Sequence, residues 1–226
     1  MVFSSISQLH FWKTYFTPNR YSLDKIPDQS GKVAIVTGAN TGLGYITTVA
    51  LAANGAHVFL ACRSEERATN AIERAKAEIK EKYPNATDPK LEFLELDLND
   101  MSKTQRAAKT FLDRGLPLHL LICNSGIMTT PFELSADGIE TQFAVNYMGH
   151  FLFTMTLLDR IKESQPSRIV NISSIVHEFV LSGGIDFDTL NDETKSDTIT
   201  RYARSKLANI LFTKALARRL EKERVY

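Results

Sequence analysis

The chain has 226 residues, of which 43% are hydrophobic and 23% charged, an ordinary balance for a folded globular protein. That balance excludes wholesale disorder, collagen-like repeats and a small disulfide-stapled scaffold, and a chain of this length buries roughly 70% of its unfolded surface in one core. Its 27 basic and 26 acidic residues leave a net charge of +1, with no basic excess to neutralise a phosphate backbone, so nucleic-acid binding is not expected. The two cysteines, Cys62 and Cys123, each sit in an apolar run and read as buried thiols of a reducing compartment rather than a disulfide. No metal-ligand cluster is expected.

Residues 1–30 form an N-terminal segment and connector. Val2, Phe3, Ile6, Leu9, Phe11, Trp12, Tyr15 and Phe16 are mixed with His10 and Lys13, without the basic start and long apolar centre of a secretory signal. Two readings stay open for residues 1–16: a short helix docked on the fold, or peripheral contact with a membrane surface. Pro18, Pro27 and Gly31 punctuate the connector. A cytoplasmic, optionally membrane-associated protein is expected.

The domain proper occupies 31–226. Short apolar runs at 33–37 and 58–61 read as buried strands, and those at 91–96, 118–123 and 168–172 as further strands, the fifth an uncovered edge. Between and after them lie helical patterns at 42–54, 65–83, 102–113, 138–162 and 200–222, with 176–199 irregular. Strands apolar on both faces alternating with helices imply a parallel sheet covered on both sides. Right-handed crossovers make it doubly wound, and ligands then bind at the carboxyl ends of the strands.

Chemistry-bearing residues fall just after those strands. Gly38-Ala39-Asn40-Thr41-Gly42-Leu43-Gly44 joins the first strand to the first helix. Its glycines allow a tight turn and close backbone approach, and the helix N-terminus offers free N–H groups to a pyrophosphate. The second strand ends at Cys62-Arg63-Ser64, where an acid would bind the ribose 2′-hydroxyl of NAD. Arg63 instead suits a 2′-phosphate and favours NADP, the alternative being a solvated arginine.

Tyr202 and Lys206 lie four residues apart on one face of the last helix. A lysine ammonium beside a phenol favours the phenolate, so the pair can exchange a proton with a substrate hydroxyl or carbonyl. Such a pair also arises by chance, but here Ser173 and Ser174 follow the fifth strand and Asn124-Ser125-Gly126 the fourth. Asn146, polar in the apolar segment Phe143-Ala144-Val145, needs buried partners. It can stabilise a helix bend and hold a water near the lysine, or be purely structural.

With these pieces in this order, the sequence resembles the short-chain dehydrogenase/reductase family over about residues 30–222. Tyr202-Ala203-Arg204-Ser205-Lys206 and Ala61-Cys62-Arg63 are most similar to its retinol dehydrogenase-like branch. The resemblance implies a Rossmann-like doubly wound sheet, NADP(H), and an alcohol or carbonyl group on a lipophilic small molecule. It assigns Tyr202 as acid/base, with Lys206 lowering its pKa and binding the nicotinamide ribose. Ser174, the second of its pair, polarises the substrate oxygen, and Asn146 completes a proton relay. Gly38, Asn40, Thr41, Gly42, Leu43, Gly44 and Arg63 hold the cofactor. Asp97 and Leu98 contact the adenine, and Asn124, Ser125 and Gly126 line the cofactor. Ser125 stands where the family usually has alanine. The fold is expected to be C-terminally incomplete, since the family continues past this helix. A homo-oligomer is allowed. The alternative function is a catalytically silent dinucleotide-binding or interaction protein.

Overall fold

The computed structural model describes residues 22–180 and 183–222. The amphipathic reading of residues 1–16 lies outside them. Five strands build one fully parallel sheet: β1 Val33–Thr37, β2 His57–Cys62, β3 Leu91–Glu95, β4 Leu120–Cys123 and β5 Arg168–Asn171, in the order β3-β2-β1-β4-β5. The helices are α1 Gly42–Ala53, α2 Glu65–Lys82, α3 Met101–Leu112, the short α4 Thr141–Phe143, α5 Gly149–Glu163 and α6 Thr198–Lys222.

The strand pleat sorts the core into two layers. Ala34, Val36, Val58 and Leu60 face Val49 of α1 and Ala68, Ala71, Ala75 and Ile79 of α2. Ile35, Phe59, Leu94 and Leu121 face Ala107 and Phe111 of α3 and Phe153, Leu157 and Ile161 of α5. Alternating side chains along each strand thus serve opposite faces, which requires helices on both sides of the sheet. The small Ala68, Ala71 and Ala75 let α2 lie close to the strands. A third, smaller cluster of Leu158, Phe212 and Leu216 joins α5 to α6. β5 is a sheet edge and the exposed side chain of Val170 stands on it.

The long helix expected over 138–162 is divided. Ala144–Met148 is a π-helical turn between α4 and α5, with the Gly149 N–H bonded to the Ala144 carbonyl. The starts of β2 and α3 each move by one residue, and those of β4 and α6 by two. β4 starts at Leu120, because the Leu118 N–H is taken by the Ser164 hydroxyl at 2.9 Å. α6 starts at Thr198, where the Asp197 carboxylate receives the Thr200 N–H at 2.7 Å.

Both thiols are buried and free. Burial pushes the Cys123 thiol up to about 12 and raises that of Cys62, so neither is a nucleophile. Among the described residues no helix is long and apolar enough to cross a membrane, and no group of residues is arranged to hold a metal ion.

Candidate active site

Strand order reverses between β1 and β4, and the crevice at their carboxyl ends is where this architecture places its ligands. The turn 38–44 leaves β1 there, and 124–126 leaves β4 beside it. Arg63 leaves β2, Asp97 and Leu98 follow β3, and Ser173 and Ser174 follow β5. All these residues therefore open onto one rim.

The glycine turn is held by close packing. Gly38 has φ +64°, and a Cβ there would stand 2.8 Å from the Ser125 Oγ. A Cβ on Gly44 would meet the Gly38 carbonyl oxygen at 2.5 Å and the Asn124 amide at 2.6 Å. Gly42, at φ +55°, meets nothing within 4 Å: its backbone faces open space at the first residue of α1. The α1 N-terminus has no side-chain cap from Thr41 and no acid in its first turn. By contrast Ser64 caps α2 and Asp100 caps α3. The backbone N–H groups of α1 are thus left to an anion, and the bare turn fits a dinucleotide pyrophosphate. Leu43 is exposed beside it, Asn40 is half-buried, and the Asn40 carbonyl accepts a hydrogen bond from Arg74 at 3.1 Å.

Arg63 is exposed at the end of β2, next to Ser64. Asp97 is half-buried and its carboxylate receives the Asn99 N–H at 3.1 Å, with Lys103 at 3.6 Å. Leu98 is buried, and its carbonyl lies 2.7 Å from where a Cβ on Gly149 would be. Only glycine lets α5 approach that closely.

Asn124 and Ser125 are tied to β1. Their backbone N–H groups both donate to the Thr37 hydroxyl at 2.9 Å, and the Asn124 side-chain amide donates to the Thr37 carbonyl at 2.9 Å. The serine that replaces the usual alanine packs its hydroxyl over Gly38 without disturbing these bonds.

Asn146 is fully buried in the π-helical turn. Its side-chain oxygen accepts the Ile127 N–H at 2.8 Å, and its amide donates to the Ile127 carbonyl at 2.9 Å and to Ser205 Oγ at 3.0 Å. Ser205 in turn donates to the Tyr202 carbonyl at 2.7 Å. The polar residue that interrupts an apolar helix pattern is therefore saturated by tertiary partners, which also accounts for the break in the helix.

Lys206 is almost wholly buried, with Nζ donating to the Ile172 carbonyl at 3.1 Å and standing 5.5 Å from the Tyr202 ring centre. Burial draws the Lys206 ammonium down to about 8. A Cβ on Gly126 would be 3.4 Å from both Lys206 Nζ and Asn146 Oδ1, so the lysine, the asparagine and the turn after β4 converge at one point. Tyr202 is half-buried beside them.

The two serines diverge. Ser173 gives its proton to the Lys206 carbonyl at 2.8 Å. Ser174 accepts the Val176 N–H at 3.3 Å as cap of the 3-10 turn Ile175–Phe179, which leaves its hydroxyl proton free to donate.

Three further polar residues, to which the sequence assigns no role, belong to this network. They are Thr37, His150 and Ser205, all buried. His150 carried a usable signal: it follows Asn146 by four residues in an otherwise apolar stretch, so the two share a face.

The comparisons agree with this geometry. Residues 32–185 match the family model for short chain dehydrogenases. Retinol dehydrogenase 11 of Homo sapiens is 44% identical over 191 residues, covering 84% of this chain and 57% of that protein. The chloroplastic short-chain dehydrogenase TIC 32 B of Brassica napus is 41% identical over 203 residues, covering 88% and 61%. The chain thus spans about three-fifths of the length of these relatives. A solved Mycobacterium paratuberculosis protein superposes with a TM-score of 0.73 at 35% identity, covering 90% of this chain and 68% of that one. With a parallel five-stranded sheet, a bare glycine turn at its reversal point and a family match over most of its length, the chain belongs to the short-chain dehydrogenase family.

Proposed function

We propose that this protein is an NADP(H)-dependent oxidoreductase acting on the alcohol or carbonyl group of a lipophilic small molecule. The observation that carries the reading is the convergence of Tyr202, the buried Lys206 and Asn146 beside the cofactor-side turn 124–126.

The pyrophosphate belongs on the uncapped N-terminus of α1, over Gly38, Gly42 and Gly44, with Asn40, Thr41 and Leu43 on the turn around it. Arg63 and Ser64 suit a ribose 2′-phosphate, which selects NADP over NAD. Asp97 and Leu98 sit on the adenine side of the rim, and Asn124, Ser125 and Gly126 on the nicotinamide side. When bound, the nicotinamide supplies the hydride acceptor or donor.

Tyr202 holds the proton that leaves the substrate hydroxyl on oxidation, or gives one to the carbonyl oxygen on reduction. The Lys206 ammonium, held beside the tyrosine ring by the Ile172 carbonyl, stabilises the negative charge left on the phenol oxygen. Ser174 donates to the substrate oxygen as charge builds on it. Asn146 braces Ser205 and Ile127, and through Ser205 the backbone of Tyr202 itself. Retinol dehydrogenases among the relatives make a retinoid-like or other apolar aldehyde or ketone the first substrate class to try.

The test is titration of the purified chain with NADPH and with NADH, followed by a panel of apolar aldehydes and ketones. Tighter NADPH binding with carbonyl-dependent oxidation supports the reading. NADPH binding without turnover on the panel favours the silent dinucleotide-binding alternative.

A further inference from the structure

His150, on α5, is fully enclosed, and both ring nitrogens have partners on different parts of the site. Nε2 lies 2.8 Å from Thr37 Oγ1, and Nδ1 lies 3.1 Å from the main-chain carbonyl of Asn146. The proton positions follow from counting donors. Thr37 Oγ1 already accepts two N–H groups, from Asn124 and Ser125, so its lone pairs are filled and its one proton must go outward. Nε2 is therefore the acceptor, and Nδ1 carries the hydrogen that the Asn146 carbonyl receives. Burial, with the nearby Lys206 ammonium acting in the same direction, pulls the imidazole down to about 4. A second ring proton would face a hydroxyl with no lone pair to spare.

We propose that His150 is a positioning residue that ties the cofactor-side turn 124–126, through Thr37, to the main chain of Asn146. Resting on the oxidoreductase reading above, this gives that site a rigid link between its cofactor-binding half and its proton-handling half. The chain of bonds runs from the Asn124 and Ser125 amides to Thr37, to His150, and to the Asn146 carbonyl. From the Asn146 side chain it continues through Ser205 to the Tyr202 carbonyl. The Asn124 N–H is shared with the Ile122 carbonyl at 3.0 Å, and each later hydrogen has one acceptor, so neither Thr37 nor His150 can rotate without orphaning a buried group. A neutral imidazole is suited to the middle position because it is flat, stiff, and donates at one edge while accepting at the other. Neither half of that task needs charge.

Two isosteres separate the halves. His150→Asn keeps an amide donor near the Nδ1 position, and His150→Gln keeps an acceptor near the Nε2 position. On the full chain, His150→Gln should hold NADPH within about twofold of wild type and lose about tenfold in kcat, one buried hydrogen bond's worth. His150→Asn should hold kcat within about threefold and weaken NADPH about tenfold by the same reasoning. Independently of turnover, the imidazole ¹⁵N spectrum should show one neutral Nδ1–H tautomer between about pH 5.5 and 8, as the donor count requires. An Nε2–H tautomer overturns the link. So do variants whose kcat and NADPH affinity fall by equal factors in step with the melting temperature, the pattern of a merely structural residue. A wild-type protein that reduces no carbonyl, yet shows the Nδ1–H tautomer and the contrast in NADPH affinity, overturns the oxidoreductase reading and upholds the link.

Discussion

Glu140 and Arg201 form a salt bridge in full burial, with Arg201 Nε 3.5 Å from Glu140 Oε1. The other carboxylate oxygen accepts the Phe143 N–H at 2.8 Å and so begins α4, while Arg201 Nη1 donates to the Ser196 carbonyl at 2.6 Å. Arg201 precedes Tyr202 on α6, so this pair fixes the start of the proposed catalytic helix against the segment that carries Asn146. Arg201→Met leaves a carboxylate buried without a counter-charge. We expect a loss of about 3–5 kcal/mol, read by denaturant melts, together with a fall in kcat larger than in NADPH affinity.

Tyr202→Phe should remove turnover and spare the cofactor. The phenol is the proposed acid, beside a buried ammonium, and losing such a group costs about 10²–10⁴ in rate. NADPH affinity, measured by fluorescence titration, should stay within a few fold. Retention of most of the rate by the phenylalanine variant would remove Tyr202 from the mechanism.

Arg63→Ala should discriminate between cofactors. Hydrogen bonds to charged groups are worth about 1.5–3 kcal/mol, so NADPH affinity should drop by roughly ten- to a hundredfold. NADH, without a 2′-phosphate, should bind almost as before. Equal losses for the two would mean that Arg63 does not read the 2′-phosphate.

Gly44→Ala should damage the fold and the proposed cofactor site together. Its Cβ would lie 2.5 Å from the Gly38 carbonyl oxygen, which is backbone and cannot swing aside. Such overpacking costs about 1–3 kcal/mol. Gly42→Ala meets no neighbour but must hold φ +55°, so its penalty is backbone strain of about 1–2 kcal/mol. The melting temperature should fall in both. NADPH binding should suffer more than that fall explains in Gly42→Ala, where the new methyl stands on the ligand side.

Stability should also depend on pH through His150. In the unfolded chain an ordinary imidazole gains its proton near pH 6.5, while in the fold it stays neutral down to about 4. Between these values the unfolded state binds more protons, so stability is full above pH 6.5 and is lost as pH falls toward 4. The loss is about 3 kcal/mol from this group alone. In His150→Gln that share of the acid dependence should vanish, which melts at pH 7 and pH 4.5 will show.

The sheet was legible because parallel strands covered by helices are written as apolar runs, even where, as in β5, they form an exposed edge. That Gly38, Arg63, Asn124 and Ser174 follow strand ends at one rim could be read from the same runs. The π-helical turn was not, because its cause lies outside its own sequence: Asn146 is held by Ile127 and Ser205, which come from the β4 turn and from α6. Thr37 and His150 escaped notice for a similar reason. A threonine closing a strand has nothing locally unusual, and the spacing of His150 from Asn146 marks a shared face but no partner, so what the two do appears only when β1 and α5 are packed together. The start of α6 is different. Asp197 stands in the sequence as a cap three residues before Thr200, and the irregular composition of 176–199 conceals it.

The turn at Ala144–Met148 also has a bearing on how the chain can vary. An α-helix advances about 100° per residue, so a regular helix through this region would bind the direction of Asn146 rigidly to those of Phe153, Leu157 and Ile161. The wider turn releases that phase. Asn146 looks toward Ile127 and Ser205 while Phe153, Leu157 and Ile161 still face the sheet. Closing these same five residues into a regular helix would rotate one set away from its target. Either the core or the site would then be lost, so the wide turn sets the phase between the two.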